Sequence, residues 1–194
     1  MKLSQLIAGQ TVRTIDGDPD VEITGISYDS REVKPGEVFF ALARDAVRRR
    51  ANIEDALNRG ARAVVADGRW DRKEARLAQN VPAGSPAGTI VDAPQPRLLM
   101  GAAAARFFGA PDTRLNLVGI TGTSGKTTST YLLRAIFEAA GRPSGILGTI
   151  GIFVRDRMVY HGLTTPESVD FEAGLAQMEG AGVRDAFAEV SSIG

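Results

Sequence analysis

The 194-residue chain contains no cysteine, one histidine and one tryptophan. The absence of cysteine excludes disulfide bonds, thiol catalysis and zinc–thiolate sites. An excess of charge of one sign is also missing, because 23 Lys and Arg residues balance 23 Asp and Glu residues. A general nucleic-acid binder or anionic-membrane binder carries a basic excess that this chain lacks. Any phosphate-binding site must therefore be local.

Long apolar runs are missing as well. The longest helical apolar stretch, LLMGAAAA at 98–105, is far shorter than the roughly 20 residues that a membrane-spanning helix needs. The first ten residues, MKLSQLIAGQ, lack the apolar core of a signal peptide. We therefore expect a soluble, cytoplasmic protein that binds neither nucleic acid nor membranes, and we expect it to be a monomer.

The first half of the chain alternates strand patterns with a helix pattern, which is typical of a small α/β domain. The predicted strands lie at 21–28, 37–42, 62–67 and 89–91. A helix is predicted at 51–61, with a glycine stop at Gly60. We place this domain at 1–93. The helical segment between prolines at 94–111 is interpreted as a linker helix.

A second α/β unit is predicted at 112–194. Its predicted elements are strands at 115–121 and 185–192, helices at 126–140 and 168–182, and a hairpin around Arg155-Asp156 that joins GILGTIGIFV to RMVYH. A doubly wound parallel sheet needs more strands than this pattern offers. We therefore expect a truncated domain, and a chain that is a fragment of a longer protein.

The strand at 115–121 leads into GTSGKTT and then into a helix, the arrangement that phosphate binding requires. Gly122 and Gly125 allow backbone angles closed to other residues, so amide groups can approach an anion at the helix amino terminus. Lys126 supplies charge to β- and γ-phosphates, and Thr127 or Thr128 offers a hydroxyl to Mg²⁺. The alternative is a tight turn that merely uses glycines. The predicted ATP-binding residues are Gly122, Thr123, Ser124, Gly125, Lys126, Thr127 and Thr128.

Glu189 lies near the carboxyl end of the buried strand pattern at 185–192. Ligands of open α/β sheets bind at the carboxyl ends of strands. A carboxylate opposite a phosphate loop is the usual second anchor of Mg²⁺. We therefore predict ATP and Mg²⁺ as cofactors, with Thr127 and Glu189 as the metal ligands.

Two further segments carry side chains suited to anions. Asp29-Ser30-Arg31 offers a hydroxyl and a fork-shaped cation to a pyrophosphate, although Asp-Ser is also ordinary turn chemistry. Thr164 and Thr165 precede Pro166 and offer two hydroxyls to carboxylate or phosphate oxygens. The alternative for this pair is a capped turn before the helix at 168–182.

The segment GITGTSGKTT at 119–128 resembles the ATP loop of the Mur ligases, the ATP-dependent amide-forming enzymes of peptidoglycan precursor synthesis. Both lack the first glycine of the standard phosphate loop, whose position Ile120 occupies here. The segment YDSREVKPGEVFFAL (28–42) resembles the amino-terminal domain shared by the members that add the third amino acid and those that add the terminal dipeptide. The segments GTIG (148–151) and LTTPES (163–168) resemble the members that add the third residue, a diamino acid. The resemblance covers essentially the whole chain.

This resemblance implies an ATP-dependent ligase that joins a diamino acid, meso-diaminopimelate or L-lysine, to UDP-N-acetylmuramoyl-L-alanyl-D-glutamate through an acyl phosphate. It implies that Lys126 is catalytic, that 1–93 binds the UDP-substrate, and that 112–194 is the first part of a P-loop mononucleotide-binding parallel-sheet domain. A fragment of this kind is expected to lack turnover. The implied substrate-binding residues are Tyr28, Ser30, Thr164, Thr165 and Ser191.

The chain departs from the family pattern at two places. Arg44 replaces a glycine, and Arg48-Arg49 stand where Asp-Gly is typical. These arginines form either a solvated face or a source of charge for the pyrophosphate. Ile193 occupies the position of a histidine that binds metal in many relatives. The alternative functions are a dipeptide-adding Mur ligase and a P-loop nucleotide-binding switch or hydrolase.

Overall fold

The structure is a computed structural model that describes residues 1–68, 88–160 and 164–191. The chain divides into two compact units, Met1–Ala103 and Ala104–Gly194. The position of Ile193 lies outside the described residues. In the described part of the chain, no helix is long and apolar enough to cross a bilayer.

The first unit is built on a mixed sheet with the strand order β1-β5-β4-β3-β2. Strands β2 to β5 run parallel, and β1 pairs antiparallel with β5. The strands are β1 (Thr14–Asp16), β2 (Ile26–Ser27), β3 (Val38–Phe40), β4 (Ala63–Ala66) and β5 (Thr89–Asp92). The helices of its described residues are α1 (Leu3–Leu6), α2 (Ala46–Asn58) and α3 (Pro96–Phe107), and α3 contains the boundary between the units.

The central strands of the first sheet are buried and apolar on both faces, as parallel strands covered on both sides must be. Helix α2 packs Ile53, Ala56 and Leu57 into the core on one side of this sheet. The helix begins at Ala46, five residues before the predicted start at 51. The reason is an amino-terminal cap, because the Asp45 carboxylate accepts a hydrogen bond from the backbone N of Arg48 at 2.8 Å.

The predicted strand at 21–28 is too long, because β2 contains only Ile26 and Ser27. Residues 21–23 hydrogen-bond to the amino-terminal segment instead of to the sheet. Ile23 N donates to Met1 O at 2.8 Å, and Leu3 N donates to Val21 O at 2.9 Å. An alternating pattern identifies a half-buried segment without naming its partner, and this partner is a short amino-terminal segment.

The second unit contains a sheet with the strand order β6-β10-β7-β8-β9. Strands β6, β10 and β7 run parallel, whereas β8 and β9 are antiparallel. The strands are β6 (Asn116–Thr121), β7 (Ser144–Gly148), β8 (Gly151–Val154), β9 (Arg157–Tyr160) and β10 (Asp185–Val190). The helices are α4 (Lys126–Ala139) and α5 (Ser168–Gly180), and a 3-10 turn spans Pro111–Thr113.

The apolar run GILGTIGIFV is not one arm of a hairpin, as the sequence predicted. It forms two strands, β7 and β8, which reverse direction at Thr149 and Ile150. Gly151 has a φ of 145°, a value that favours glycine, and it starts β8 immediately after this turn. The predicted hairpin at Arg155-Asp156 is confirmed, because it joins β8 to β9. The α/β fold class predicted from the sequence is also confirmed.

Candidate functional site

The predicted phosphate loop connects the end of β6 to the start of α4. Gly122 has a φ of 147°, and Gly125, the amino-terminal cap of α4, has a φ of 82°. A Cβ atom on Gly125 would meet no atom within 4 Å, so the backbone angle and not a lack of space requires glycine there. The open surroundings of Gly125 leave the amino terminus of α4 accessible to an anion.

Lys126 is the first residue of α4, and its side chain folds back over the loop. Its Nζ atom donates a hydrogen bond to the backbone O of Gly122 at 2.7 Å. This contact holds the ammonium group at the loop. The flanking side chains of Thr123, Ser124 and Thr128 are exposed.

Glu189 lies on β10, the strand between β6 and β7, and pairs in register with Ile120 of β6. Its side chain is buried, with 1% of the residue exposed. Thr127 Oγ1 donates a hydrogen bond to Glu189 Oε2 at 2.8 Å. The structure thus brings together the two residues predicted as metal ligands, and of the two candidate hydroxyls it is Thr127 that contacts the acid.

Thr149 is a site residue that the sequence interpretation missed. Its backbone N donates to Glu189 Oε1 at 3.0 Å, and its Oγ1 donates to Glu189 Oε2 at 3.0 Å. Thr149 directly follows β7, the parallel neighbour of β10. In the sequence, the segment GTIG is only part of a family pattern, and the strand order that places Thr149 beside Glu189 is not visible there.

The Thr-Thr segment also reaches this edge of the sheet. Thr164 Oγ1 lies 3.1 Å from Thr149 Oγ1, and Thr165 Oγ1 donates to the backbone O of Glu189 at 3.1 Å. Ser191 N donates to Thr165 Oγ1 at 2.9 Å, and the two hydroxyl oxygens are 3.2 Å apart. The cap residue of α5 is Glu167, so neither threonine caps that helix. The predicted residues Thr164, Thr165 and Ser191 therefore share one site with Glu189.

The chemistry of these donors fits a magnesium ion. A threonine hydroxyl and a carboxylate 2.8 Å apart are hard oxygen donors of the kind that Mg²⁺ prefers. In the described residues, no group of three or more His, Cys, Asp or Glu side chains is arranged to hold a metal. Mg²⁺ usually binds through one or two protein ligands together with substrate phosphates and water, so Thr127 and Glu189 form an appropriate set.

The first unit contains the predicted residues Tyr28 and Ser30. Ser30 is buried at the start of a 3-10 turn, Ser30–Glu32, and Tyr28 is half-buried. The Asp29 carboxylate caps this turn by accepting hydrogen bonds from Arg31 N at 3.0 Å and Arg31 Nε at 2.9 Å. These bonds to the Arg31 side chain lower the pKa of Asp29 to about 2. Arg31 thus holds the turn that positions Ser30.

The arginines that depart from the family pattern do not act as one group. Arg44 and Arg49 line a cavity of about 600 Å³ beyond the carboxyl ends of β3 and β4, together with Asp67 and Arg97. Arg49 Nη1 donates to the backbone O of Ala43 at 3.2 Å, which holds its guanidinium at the cavity. Arg48 is exposed and is not among the lining residues.

Comparison with known proteins shows which family contains similar chains. Residues 120–194 match the family model of the Mur ligase middle domain. The chain is 43% identical over 176 residues to UDP-N-acetylmuramoyl-L-alanyl-D-glutamate--2,6-diaminopimelate ligase of Mesorhizobium japonicum, and 90% of the chain is covered. The chain belongs to the Mur ligase family. The ligases of the same name from Caldanaerobacter subterraneus and Clostridium tetani are 37% and 32% identical to this Mur ligase chain over 192 residues, or 99% of it.

This Mur ligase chain spans 34% to 38% of the length of these three relatives. A solved structure of a UDP-N-acetylmuramoyl-L-alanyl-D-glutamate--2,6-diaminopimelate ligase matches 99% of the chain and 36% of its own length, with a TM-score of 0.76 and 23% identity. MurF from Acinetobacter baumannii matches 98% of the chain and 35% of its own length, with a TM-score of 0.59 and 20% identity. At these identities the two likenesses show the fold.

Proposed function

We propose that this chain supplies the phosphate-binding and substrate-binding parts of an ATP-dependent ligase that adds a diamino acid to UDP-N-acetylmuramoyl-L-alanyl-D-glutamate. The observation that carries the proposal is the hydrogen bond of 2.8 Å between Thr127 and buried Glu189, next to the loop that holds Lys126. The names of the three relatives support the substrate and favour 2,6-diaminopimelate over L-lysine as the amine.

The residues at 112–194 would form the nucleotide-binding part. The amide groups from Gly122 to Gly125 and the Lys126 ammonium would bind the β- and γ-phosphates, and Thr127 and Glu189 would hold Mg²⁺. Magnesium–ATP would supply the phosphoryl group that activates the D-glutamate carboxylate as an acyl phosphate. A Mur ligase from Thermotoga maritima, MurF, was solved in complex with ADP, and its fold matches 87% of this chain with a TM-score of 0.52, which supports nucleotide binding.

Each unit would contribute its own residues to substrate binding. Thr164, Thr165 and Ser191 lie at the same sheet edge as Glu189, and their hydroxyls would hold the acceptor peptide beside the transferring phosphoryl group. In the first unit, at 1–93, Tyr28 and Ser30 would bind the UDP group. The Arg44 and Arg49 side chains at the cavity would add charge near its pyrophosphate. The segment at 94–111 would link these two parts.

The test is a pair of calorimetric titrations of the chain, one with Mg²⁺–ATP and one with UDP-N-acetylmuramoyl-L-alanyl-D-glutamate. Lys126→Met should weaken Mg²⁺–ATP binding by about 10- to 100-fold, the value of one or two charge-assisted hydrogen bonds, and should leave the UDP-substrate titration unchanged. Lys34→Met is the matched control, because it also removes one lysine charge but lies in the first unit. Equal ATP affinity in the two variants would contradict the proposal.

An activity assay separates this proposal from the P-loop hydrolase alternative. Because the chain spans little more than a third of its relatives, we expect it to bind both ligands without forming an amide. A longer relative, assayed in parallel, serves as the positive control for amide formation. Steady hydrolysis of ATP or GTP without any muramoyl substrate would favour the hydrolase.

A further inference from the structure

We propose that Thr149 is a positioning residue that orients the Glu189 carboxylate toward the metal side of the site and connects it to the substrate side through Thr164. This inference rests on the proposed function. Among the described residues, three hydrogen bonds reach the buried carboxylate, and Thr149 donates two of them. Because Thr149 contacts both oxygens, it fixes the rotation of the carboxylate about its own axis, which the single bond from Thr127 leaves free.

The backbone around Thr149 is arranged for this contact. In the register of β10 with β7, Ala188 lies opposite Leu147, which places Glu189 beside Gly148. Gly148 has no Cβ atom, and the carboxylate of Glu189 occupies the space where one would lie. The chain then turns at Thr149, whose N–H points at Oε1 instead of continuing the parallel ladder. A strand end with a larger residue before this turn would keep the carboxylate away.

The donor and the acceptor can be assigned for each hydrogen bond that the Thr149 hydroxyl makes. A hydroxyl has one proton to donate, and the Thr149 hydroxyl donates it to Glu189 Oε2. The contact of 3.1 Å between Thr164 and Thr149 must then be donated by Thr164. The hydrogen bonds are therefore donated from Thr164 to Thr149 and from Thr149 to Glu189, and Thr127 donates to Glu189 from the other side. Thr164, a predicted substrate residue, thus influences the proposed metal ligand without touching it.

The experiment measures the affinity of the chain for the ATP analogue AMP-PNP by calorimetry, with Mg²⁺ and again with EDTA. The ratio of the two affinities is the gain that the metal provides. Thr149→Val should reduce this gain about three- to tenfold, the value of one hydrogen bond, while the affinity in EDTA stays unchanged. Thr149→Ser should retain the gain. Thr113→Val, which removes an exposed threonine hydroxyl in the same unit, is the matched control.

Thr164→Val is the second variant and keeps the test decisive if Thr149→Val does not fold. It should also reduce the metal-dependent gain, and the double variant should lose no more than Thr149→Val alone, because the two hydroxyls act in series. Equal loss of affinity with Mg²⁺ and with EDTA would indicate a purely structural effect and overturn the inference. An unchanged gain in both variants would overturn it and leave the proposed function standing, whereas absence of AMP-PNP binding to the unmodified chain would overturn both.

Discussion

The carboxylate of Glu189 fills the space that a side chain on Gly148 would occupy. Gly148 ends β7 and has no positive φ, so its backbone would accept other residues. The requirement for glycine comes from the close approach of the acid on the neighbouring strand β10. This relationship explains how a fully buried carboxylate reaches the backbone N of Thr149.

We expect Gly148→Ala to displace the Glu189 carboxylate. The added methyl group overpacks a buried strand end, which costs about 1–3 kcal/mol of the free energy of unfolding, measurable by urea denaturation. The same variant should also lose part of the metal-dependent gain in AMP-PNP affinity. Gly180→Ala is the control, because a Cβ atom at Gly180 meets nothing within 4 Å. Equal stability of the two variants would contradict the packing argument.

The stability of the second unit should fall as the pH rises from 4.5 to about 7. Glu172 on α5 is buried, and its Oε2 has no hydrogen-bond partner in the described part of the chain. Burial, assisted by the charge of Asp112, raises the pKa of Glu172 from 4.5 to about 7. The folded state therefore binds the proton more tightly than the unfolded state, so this contribution is complete below pH 4.5 and is lost as the pH rises to about 7.

Glu172→Gln should remove this pH dependence. Between pH 5 and pH 8 the unmodified chain should lose on the order of 2 kcal/mol of its free energy of unfolding because of Glu172, and the variant should not show this loss. Urea denaturation at pH 5, 6, 7 and 8 measures it. Glu179→Gln on the same helix is the control, since a hydrogen bond with Arg114 lowers the pKa of Glu179 and moves its titration below this range. Parallel pH profiles for all three proteins would refute the assignment.

Asp185 should be a larger contributor to stability than the exposed acids of the same unit. It is 3% exposed and accepts hydrogen bonds from Arg142 Nη2 at 2.6 Å, Arg142 Nε at 3.1 Å and Asn116 Nδ2 at 3.0 Å. Asp185→Ala should cost about 1–3 kcal/mol, because Arg142 and Asn116 lose their acceptor. Asp156→Ala, which removes a fully exposed partner of Arg134, should cost about 0–1 kcal/mol. The comparison uses urea denaturation, and a larger loss for Asp156→Ala is the contrary outcome.

The turn that carries Ser30 should be sensitive to acid. The hydrogen bonds from Arg31 lower the pKa of Asp29 from 3.8 to about 2, so the contact is complete above pH 3.8 and is lost as the pH falls to about 2. Arg31→Leu should raise the pKa of Asp29 toward 3.8, as followed by the carboxyl carbon chemical shift in an NMR titration. Arg62→Leu removes an arginine elsewhere in the first unit and should leave that pKa low. A value near 2 in both variants would contradict the stated cause.

Much of the fold and part of the site were predictable from local sequence. The glycine loop, Lys126 and the threonines indicate a strand-to-helix phosphate loop, because glycine adopts the φ values of 147° and 82° found there without the strain that other side chains add. The buried strands β3 and β4 follow from apolar runs of strand length. Glu189 was predictable because a carboxylate at the end of an apolar strand is costly without a partner.

Other features depended on tertiary contacts. Helix α2 begins at Ala46 and not at the predicted position 51 because Asp45 caps it, and the sequence interpretation did not anticipate that cap. The sequence pattern predicts one strand for the run that forms β7 and β8, because its apolar residues continue through the turn at Thr149. Thr149 itself carried no local signal of chemistry, because threonine after a strand is ordinary.

The residue types at the ends of strands and the positions that require glycine follow from the local sequence, since these are properties of one residue and its immediate neighbours. Which strand ends lie side by side depends on the folded sheet. The order β6-β10-β7 places Thr127, Glu189 and Thr149 at one edge of the sheet, although up to 62 positions separate them along the chain. Hydrogen bonds between such distant residues depend on strand order, and strand order is settled by the packing of the whole sheet.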